Sequence, residues 1–392
     1  MKNYMRWMGT GIACLLLARL APALAQSELK TEFNLTGGGE YNIFKSPDVL
    51  YNNETDEYWD RDSLLISDML ADVGYDIDFL KEKDNKYAFS LGSDLWYRYY
   101  LNYDELSQTR LNAYTDYTRL LGKKIHLGLF YNFRWSDRVG SSVTGDLLMR
   151  SFKYLGNEAK LYLDILPSKK LSMRLFSRYQ YKIYYDENTF DPLDHANLEF
   201  SYSINAEPAR KHEVNMELSL LDRYYTHYHA LDASGTYDRI SPLRHFRYFA
   251  AQLDYSWKPM RGFRINPELE VKRRVDMFEG YYSYFSYGGG LRIRYMRNGF
   301  YISLYGDYKL LNYDIREAFS SHAVNPMLEY GYFDYSLTMK HKLSRQWEIS
   351  LRLNSDARSS NSDLEDFRTR RGYNNYEALI GINYALPDMK WK

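Results

Sequence analysis

The stretch Met69-Leu70-Ala71-Asp72-Val73-Gly74-Tyr75-Asp76-Ile77-Asp78-Phe79 alternates with a period of two. Met69, Ala71, Val73, Tyr75, Ile77 and Phe79 make one row, and Asp68, Asp72, Gly74, Asp76 and Asp78 make the other. In an extended strand such rows point to opposite faces. One face is apolar throughout and the other carries four carboxylates. A carboxylate in a dry protein core costs several kcal/mol, whereas one facing water costs little. The strand therefore separates two different solvents. Apolar outside and polar inside is the pattern of a transmembrane β-barrel.

The alternation restarts along the chain and predicts an all-β, antiparallel up-and-down barrel of about sixteen strands, with fourteen as the alternative count. The expected strands are 31–44, 64–80, 86–100, 110–121, 124–135, 150–166, 171–185, 195–205, 213–224, 244–258, 263–277, 281–296, 300–313, 329–343, 347–354 and 373–386. Pro167-Ser168-Lys169-Lys170 and Pro208 mark turns, and Asn298-Gly299 is a strong two-residue hairpin signal. Pro267 lacks a ladder donor, so a bulge or kink is expected there.

Even-numbered strands end in short turns, while odd-numbered strands mostly lead into longer polar loops. Outer-membrane barrels have short periplasmic turns and long external loops. Phe79, Tyr87, Trp257, Phe263, Tyr295, Phe300, Trp347 and Tyr384 lie near the expected short turns, where an interfacial aromatic belt belongs. Arg273 breaks an outward row but is placed to snorkel toward headgroups at the other end. Small outward residues (Gly37, Gly39, Ala71, Gly289, Gly306) read as scattered, which leaves a homo-oligomer open.

Residues 1–25 have the form of a secretory signal peptide. Lys2 and Arg6 precede an apolar stretch interrupted by Arg19, and Ala23-Leu24-Ala25 is a small-x-small cleavage site. The expected mature unit is one barrel domain, 26–392. The one cysteine, Cys14, falls in the leader, so the mature chain has no disulfide and no thiolate metal site or nucleophile. Lys plus Arg equals Asp plus Glu at 51 each, so no global field points to nucleic acid. Tyrosine, at 41 residues, is the outlier and suits a strand surface crossing a membrane interface. After the leader there is no apolar run long enough for a spanning helix. A soluble secreted sandwich, propeller or solenoid is the competing fold, but such folds do not keep one face so apolar and the other so charged.

From Gln26 onward the chain resembles a Gram-negative outer-membrane β-barrel of the porin-like kind, and its Tyr-rich strands are similar to barrels of Bacteroidota. The resemblance is architectural and assigns no specific family. It implies contact with outer-membrane lipid and lipopolysaccharide. Two features depart from it. Loop 136–146 is shorter than the pore-folded third loop of such porins, and Pro387 to Lys392 follow the last strand.

Sixteen strands enclose more space than side chains fill, so the default is a water-filled channel for small polar solutes. The candidate pore-lining residues are Asp68, Asp72, Asp76, Asp78, Arg98, Arg174, Arg178, Lys182, Arg264, Lys272, Arg274, Arg292 and Arg294. Opposed acidic and basic walls would order polar solutes. The same charges would stiffen the wall if paired with Glu158, Lys160, Asp164, Glu268, Glu270, Asp307 and Lys309. On this register Asp72→Arg is expected to change ion preference without harming folding.

Other functions find less support. G-x-S-x-G and H-E-x-x-H do not occur, so no catalytic residue is named for a surface hydrolase. His227-Tyr228-His229 and the acidic loop 52–63 read as solvated, and no metal or cofactor is implied. A barrel that exports polymer or scaffolds adhesion with a periplasmic partner is the alternative to a diffusion channel.

Overall fold

The computed structural model describes residues 27–391 except 44, 46–50, 53–56, 59–64, 84–85, 142–148, 186–192, 319–325, 363–371 and 388. The expected signal peptide and most of the acidic loop 52–63 lie outside the described residues. Sixteen long strands close into one barrel. They are β1 (Ser27–Tyr41), β2 (Asp68–Lys83), β3 (Tyr87–Tyr100), β4 (Gln108–Leu120), β5 (Ile125–Asp137), β6 (Tyr154–Ser168), β7 (Leu171–Tyr184) and β8 (His195–Ala209). The second half is β9 (His212–His229), β10 (Leu243–Trp257), β11 (Phe263–Asp276), β12 (Tyr284–Arg297), β13 (Phe300–Glu317), β14 (Met327–Lys342), β15 (Trp347–Ser360) and β16 (Tyr373–Ala385).

Each strand pairs antiparallel with its chain neighbours. Closure comes from β1, which pairs with β2 on one side (Leu35 opposite Val73) and β16 on the other (Leu35 opposite Ile382). Every backbone donor row therefore has a partner strand, which a lipid-embedded sheet requires. The short connectors are all at one end, and the expected alternation of short and long connectors holds around the barrel. A further three residues, Met389–Trp391, pair with Ser27–Leu29 after an interruption at Pro387. The segment beyond the expected last strand thus continues the seam.

The outward rows are apolar and exposed. Ile380 is 68% exposed, Leu269 59% and Leu129 54%, although each sits within a long ladder. Large aliphatic side chains left open on strand after strand form a belt that only lipid can cover. Among the described residues there is no central apolar core. The buried apolar clusters lie at the long-loop rim, where Leu70, Tyr100, Leu106 and Leu379 form one and Tyr284, Leu311, Ala318, Leu328 and Tyr330 the other.

The strands run longer than the alternation predicts. β13 extends to Glu317 and β15 to Ser360, and β9 reaches His229 through a register shift after Tyr224. Pro167 and Pro208 fall inside β6 and β8, at irregularities between Ile165 and Ser168 and between Ala206 and Ala209. Each proline is tolerated because the ladder is already broken beside the turn. Pro267 causes no bulge. The registers on both sides of it are unshifted, and only the ladder with β10 lapses between Glu268 and Ile265. Asn266 Nδ2 donates to the Tyr255 carbonyl at 3.5 Å within that gap. The small outward residues do cluster, contrary to expectation. Gly37 lies opposite Ala71, Gly39 opposite Ala378, and Gly306 opposite Leu291 one pair from Gly289. Adjacent strands bring together what the sequence separates. The connection after β5 spans 138–153 and carries a short ladder, Val139–Ser141 with Met149–Ser151.

Candidate functional site: the charged lumen wall

On β2 to β4 the inward row is acidic. Asp76 lies directly opposite Asp94 on β3 and Glu32 on β1. Asn34 Nδ2 donates to Asp76 at 3.0 Å, Asn112 Nδ2 to Asp94 at 2.7 Å, and the Tyr114 hydroxyl to Asp78. Tyr162 donates to Asp116 at 2.8 Å. The nearest cation to Asp94 is Arg110, at 3.9 Å. Like charges opposite one another destabilise a sheet, and this wall is held by neutral donors.

Arg98 closes the acidic wall toward the long-loop end. Its guanidinium holds Asp72 in a fork at 2.8 and 2.9 Å, Glu40 at 3.0 Å and Glu377 at 2.6 Å. The Tyr100 hydroxyl adds a bond to Glu40 at 2.7 Å. Asp72 is therefore a buried partner, not a free lining charge. Replacing it with arginine would set two guanidiniums against each other, so the expectation that Asp72→Arg leaves folding intact is corrected. Asp68 is also structural, accepting from the backbone N–H groups of Asn102 at 2.7 Å and Tyr103 at 3.1 Å.

Midway down β6 to β8 the charges pair. Arg174 forks onto Asp164 at 2.5 and 2.9 Å, and Arg178 meets Glu199, with Glu158 at 3.8 Å. Lys309 holds Glu270 at 2.7 Å. On β11 and β12, Arg264 lies opposite Arg294, whose Nη2 donates to Asn266 at 2.9 Å. Arg292 stacks 4.5 Å from the Tyr305 ring.

The remaining candidates gather at the long-loop mouth among aromatic rings. Lys182 lies 4.8 Å from the Tyr154 ring, Lys272 5.1 Å from Tyr248, and Arg274 4.2 Å from Tyr284. Arg223 and Arg244 belong to the same layer and were not among the sequence candidates. The signal was parity: odd positions of β9 and even positions of β10 face inward. Tyr282, in the loop before β12, has its phenol pushed above the usual range by burial, against a smaller opposing pull from Arg244. It stays a neutral donor.

The histidine pair sits at the end of β9. His229 Nδ1 lies 2.5 Å from the Ser241 carbonyl oxygen and His227 3.9 Å from Asp194. Among the described residues no group of three His, Cys, Asp or Glu is arranged to hold a metal.

A closed sixteen-strand antiparallel barrel with an apolar belt open to lipid and a charged inner wall has the architecture of a transmembrane β-barrel. No known family profile matches the chain, and no curated protein is similar to it. Among solved structures it is similar to Acinetobacter baumannii OccAB3, with 8% identity, TM-score 0.48, and coverage of 92% of this chain and 99% of that one. It is also similar to Pseudomonas aeruginosa OpdQ, with 8% identity, TM-score 0.46, and coverage of 92% and 98%. The siderophore receptor PirA from Pseudomonas aeruginosa matches at 8% identity, TM-score 0.45, and coverage of 93% and 81%. These are likenesses of barrel architecture.

Proposed function

We propose that the mature chain, 26–392 after loss of residues 1–25, is an outer-membrane channel for weakly selective, passive diffusion of small polar solutes. The supporting observation is charge left exposed on inward faces around the ring. Midway along the barrel the side chains of Lys309 on β13 and Glu270 on β11 are 34% and 33% exposed, although both point inward. A wall packed solid with side chains would cover them. Acidic β2–β4 facing the cations that β9–β11 carry at the long-loop mouth, Arg223, Arg244, Lys272 and Arg274, gives a transverse field there that turns dipolar solutes and slows ions of either sign unequally. The candidate lining residues act in this reading as a graded wall, with Asp76 and Asp78 on one side and Lys272 and Arg274 on the other.

We read the chain as a conduit and not as an enzyme, because hydrolase motifs are missing from its sequence. Its surroundings are outer-membrane lipid and lipopolysaccharide, and its cargo is small polar solutes, not nucleic acid. The test is single-channel recording of the refolded mature chain in a planar bilayer. Steady ohmic steps are expected. A folded, heat-modifiable barrel that passes no current overturns the reading.

A further inference from the structure

We propose that the long-loop mouth of the lumen holds a binding site for the oxyanion group of a small solute, formed by Arg223, Arg244, Lys272 and Arg274. The strand register brings them together: Tyr248 of β10 lies opposite Arg274 of β11, and Phe246 opposite Arg223 of β9. None of the four has an ion-pair partner among the described residues, unlike Arg174 and Arg178 deeper in the lumen. Arg244 is 8% exposed, yet its Nε and Nη2 find no acceptor. Arg274 donates Nε to the Tyr282 carbonyl at 2.6 Å, and its Nη2 is likewise without a partner.

Arg223 donates Nε to Asn197 at 2.9 Å, and aromatic faces stabilise the four cations without satisfying the remaining donors of Arg244 and Arg274. The Arg244 guanidinium lies 4.1 Å from the Tyr228 ring and 4.5 Å from Tyr282. Arg223 and Lys272 share the ring of Tyr248, at 5.6 and 5.1 Å. Cation–π contact offsets part of the desolvation, but a buried charged donor still lacks its hydrogen bond. The carboxylates close by are already committed. Asp276 accepts from the backbone N–H groups of Phe278 and Tyr282, and Glu270 holds Lys309. Two guanidinium edges with buried, unpartnered donors match the paired oxygens of a carboxylate, phosphate or sulfate. The site completes when such a group enters from the long-loop side.

The proposal rests on the solvated lumen of the channel reading but not on conduction, so it is tested by binding. The refolded barrel in detergent micelles is titrated calorimetrically with benzoate and with inorganic phosphate at low salt, with glucose as the neutral control. Saturable binding of an oxyanion is expected, with no uptake of glucose. Arg244→Gln and Arg274→Gln should each weaken it about tenfold or more. Arg174→Gln, which removes the same charge from an ion pair elsewhere in the lumen, should leave it unchanged. No saturable oxyanion binding by the folded wild type overturns the site, as does equal weakening by Arg174→Gln. If the Gln variants do not fold, Arg244→Lys and Arg274→Lys keep the charge and remove the fork. Unchanged affinity in those variants also overturns it. Binding by a barrel that passes no current would refute the channel and leave the site standing.

Discussion

Single residues inside this barrel do the work that an apolar core does elsewhere. Arg98 alone binds three carboxylates, Asp72, Glu40 and Glu377, from a side chain only 12% exposed. Removing it strands three carboxylates on one another. Arg98→Leu is expected to cost about 3–5 kcal/mol, the usual penalty for breaking a buried pair. Urea unfolding of the refolded barrel in lipid would measure it, and a loss under 1 kcal/mol would mean lumen water already solvates the cluster. Gly128 plays a steric counterpart. Tyr162 lies flat over it, so a Cβ at 128 would come within 1.9 Å of the ring. The Tyr162 hydroxyl is thereby held 2.5 Å from Thr118 and 2.8 Å from Asp116. Gly128→Val must expel the ring and break both bonds, and overpacking of this kind costs about 1–3 kcal/mol. Gly128→Val combined with Tyr162→Leu should cost less than the sum of the two single changes, and strict additivity would refute the contact.

At the scale of strands, alternation alone assigns the two faces. Val73 is 37% exposed on the lipid side of β2. Val73→Arg is expected to lose about 2–4 kcal/mol near the membrane midplane, while Asp334→Asn on the lumen face of β14 should fold like the wild type. Equal yields of heat-modifiable barrel from both variants would mean that the faces are reversed. Strand number, connector order and outward rows were legible because each is a local, period-two property. Strand ends were not. Polar residues of β13 and β15 that read as loop continue pairing above the membrane, where water accepts both faces. Asp72 and Asp76 look alike in the sequence, and their difference lies on neighbouring strands, one meeting Arg98 and the other Asp94. Arg273 is a similar case. Its side chain ends in an ion pair that the sequence does not announce, with Nη1 donating to Asp314 at 2.6 Å across two strands.

Across the whole molecule, closure sorts charge that is balanced in total. The full sequence has 51 basic and 51 acidic residues and only Lys2, Arg6 and Arg19 of these fall in the expected leader, so a mixed wall would select weakly or not at all. The register instead collects uncompensated carboxylates on β2 to β4 and uncompensated cations at the long-loop end of β9 to β11, where Glu217, Asp254 and Glu268 lie toward the short turns, with paired charges on β6 to β8 between them. An ion crossing such a lumen follows the side of opposite sign, and the two sides contribute to selectivity separately. Neutralising one should then shift the reversal potential in a salt gradient without silencing the other. Asp76→Asn with Asp94→Asn is expected to move the channel toward anions. Lys272→Gln with Arg274→Gln should move it toward cations. Both shifts should shrink as salt rises from 0.1 M to 1 M, because the Debye length falls from about 10 Å to about 3 Å. If both pairs of substitutions move the potential in the same direction, the arcs do not act as separate walls. If neither moves it at low salt, ions do not pass along this face of the barrel.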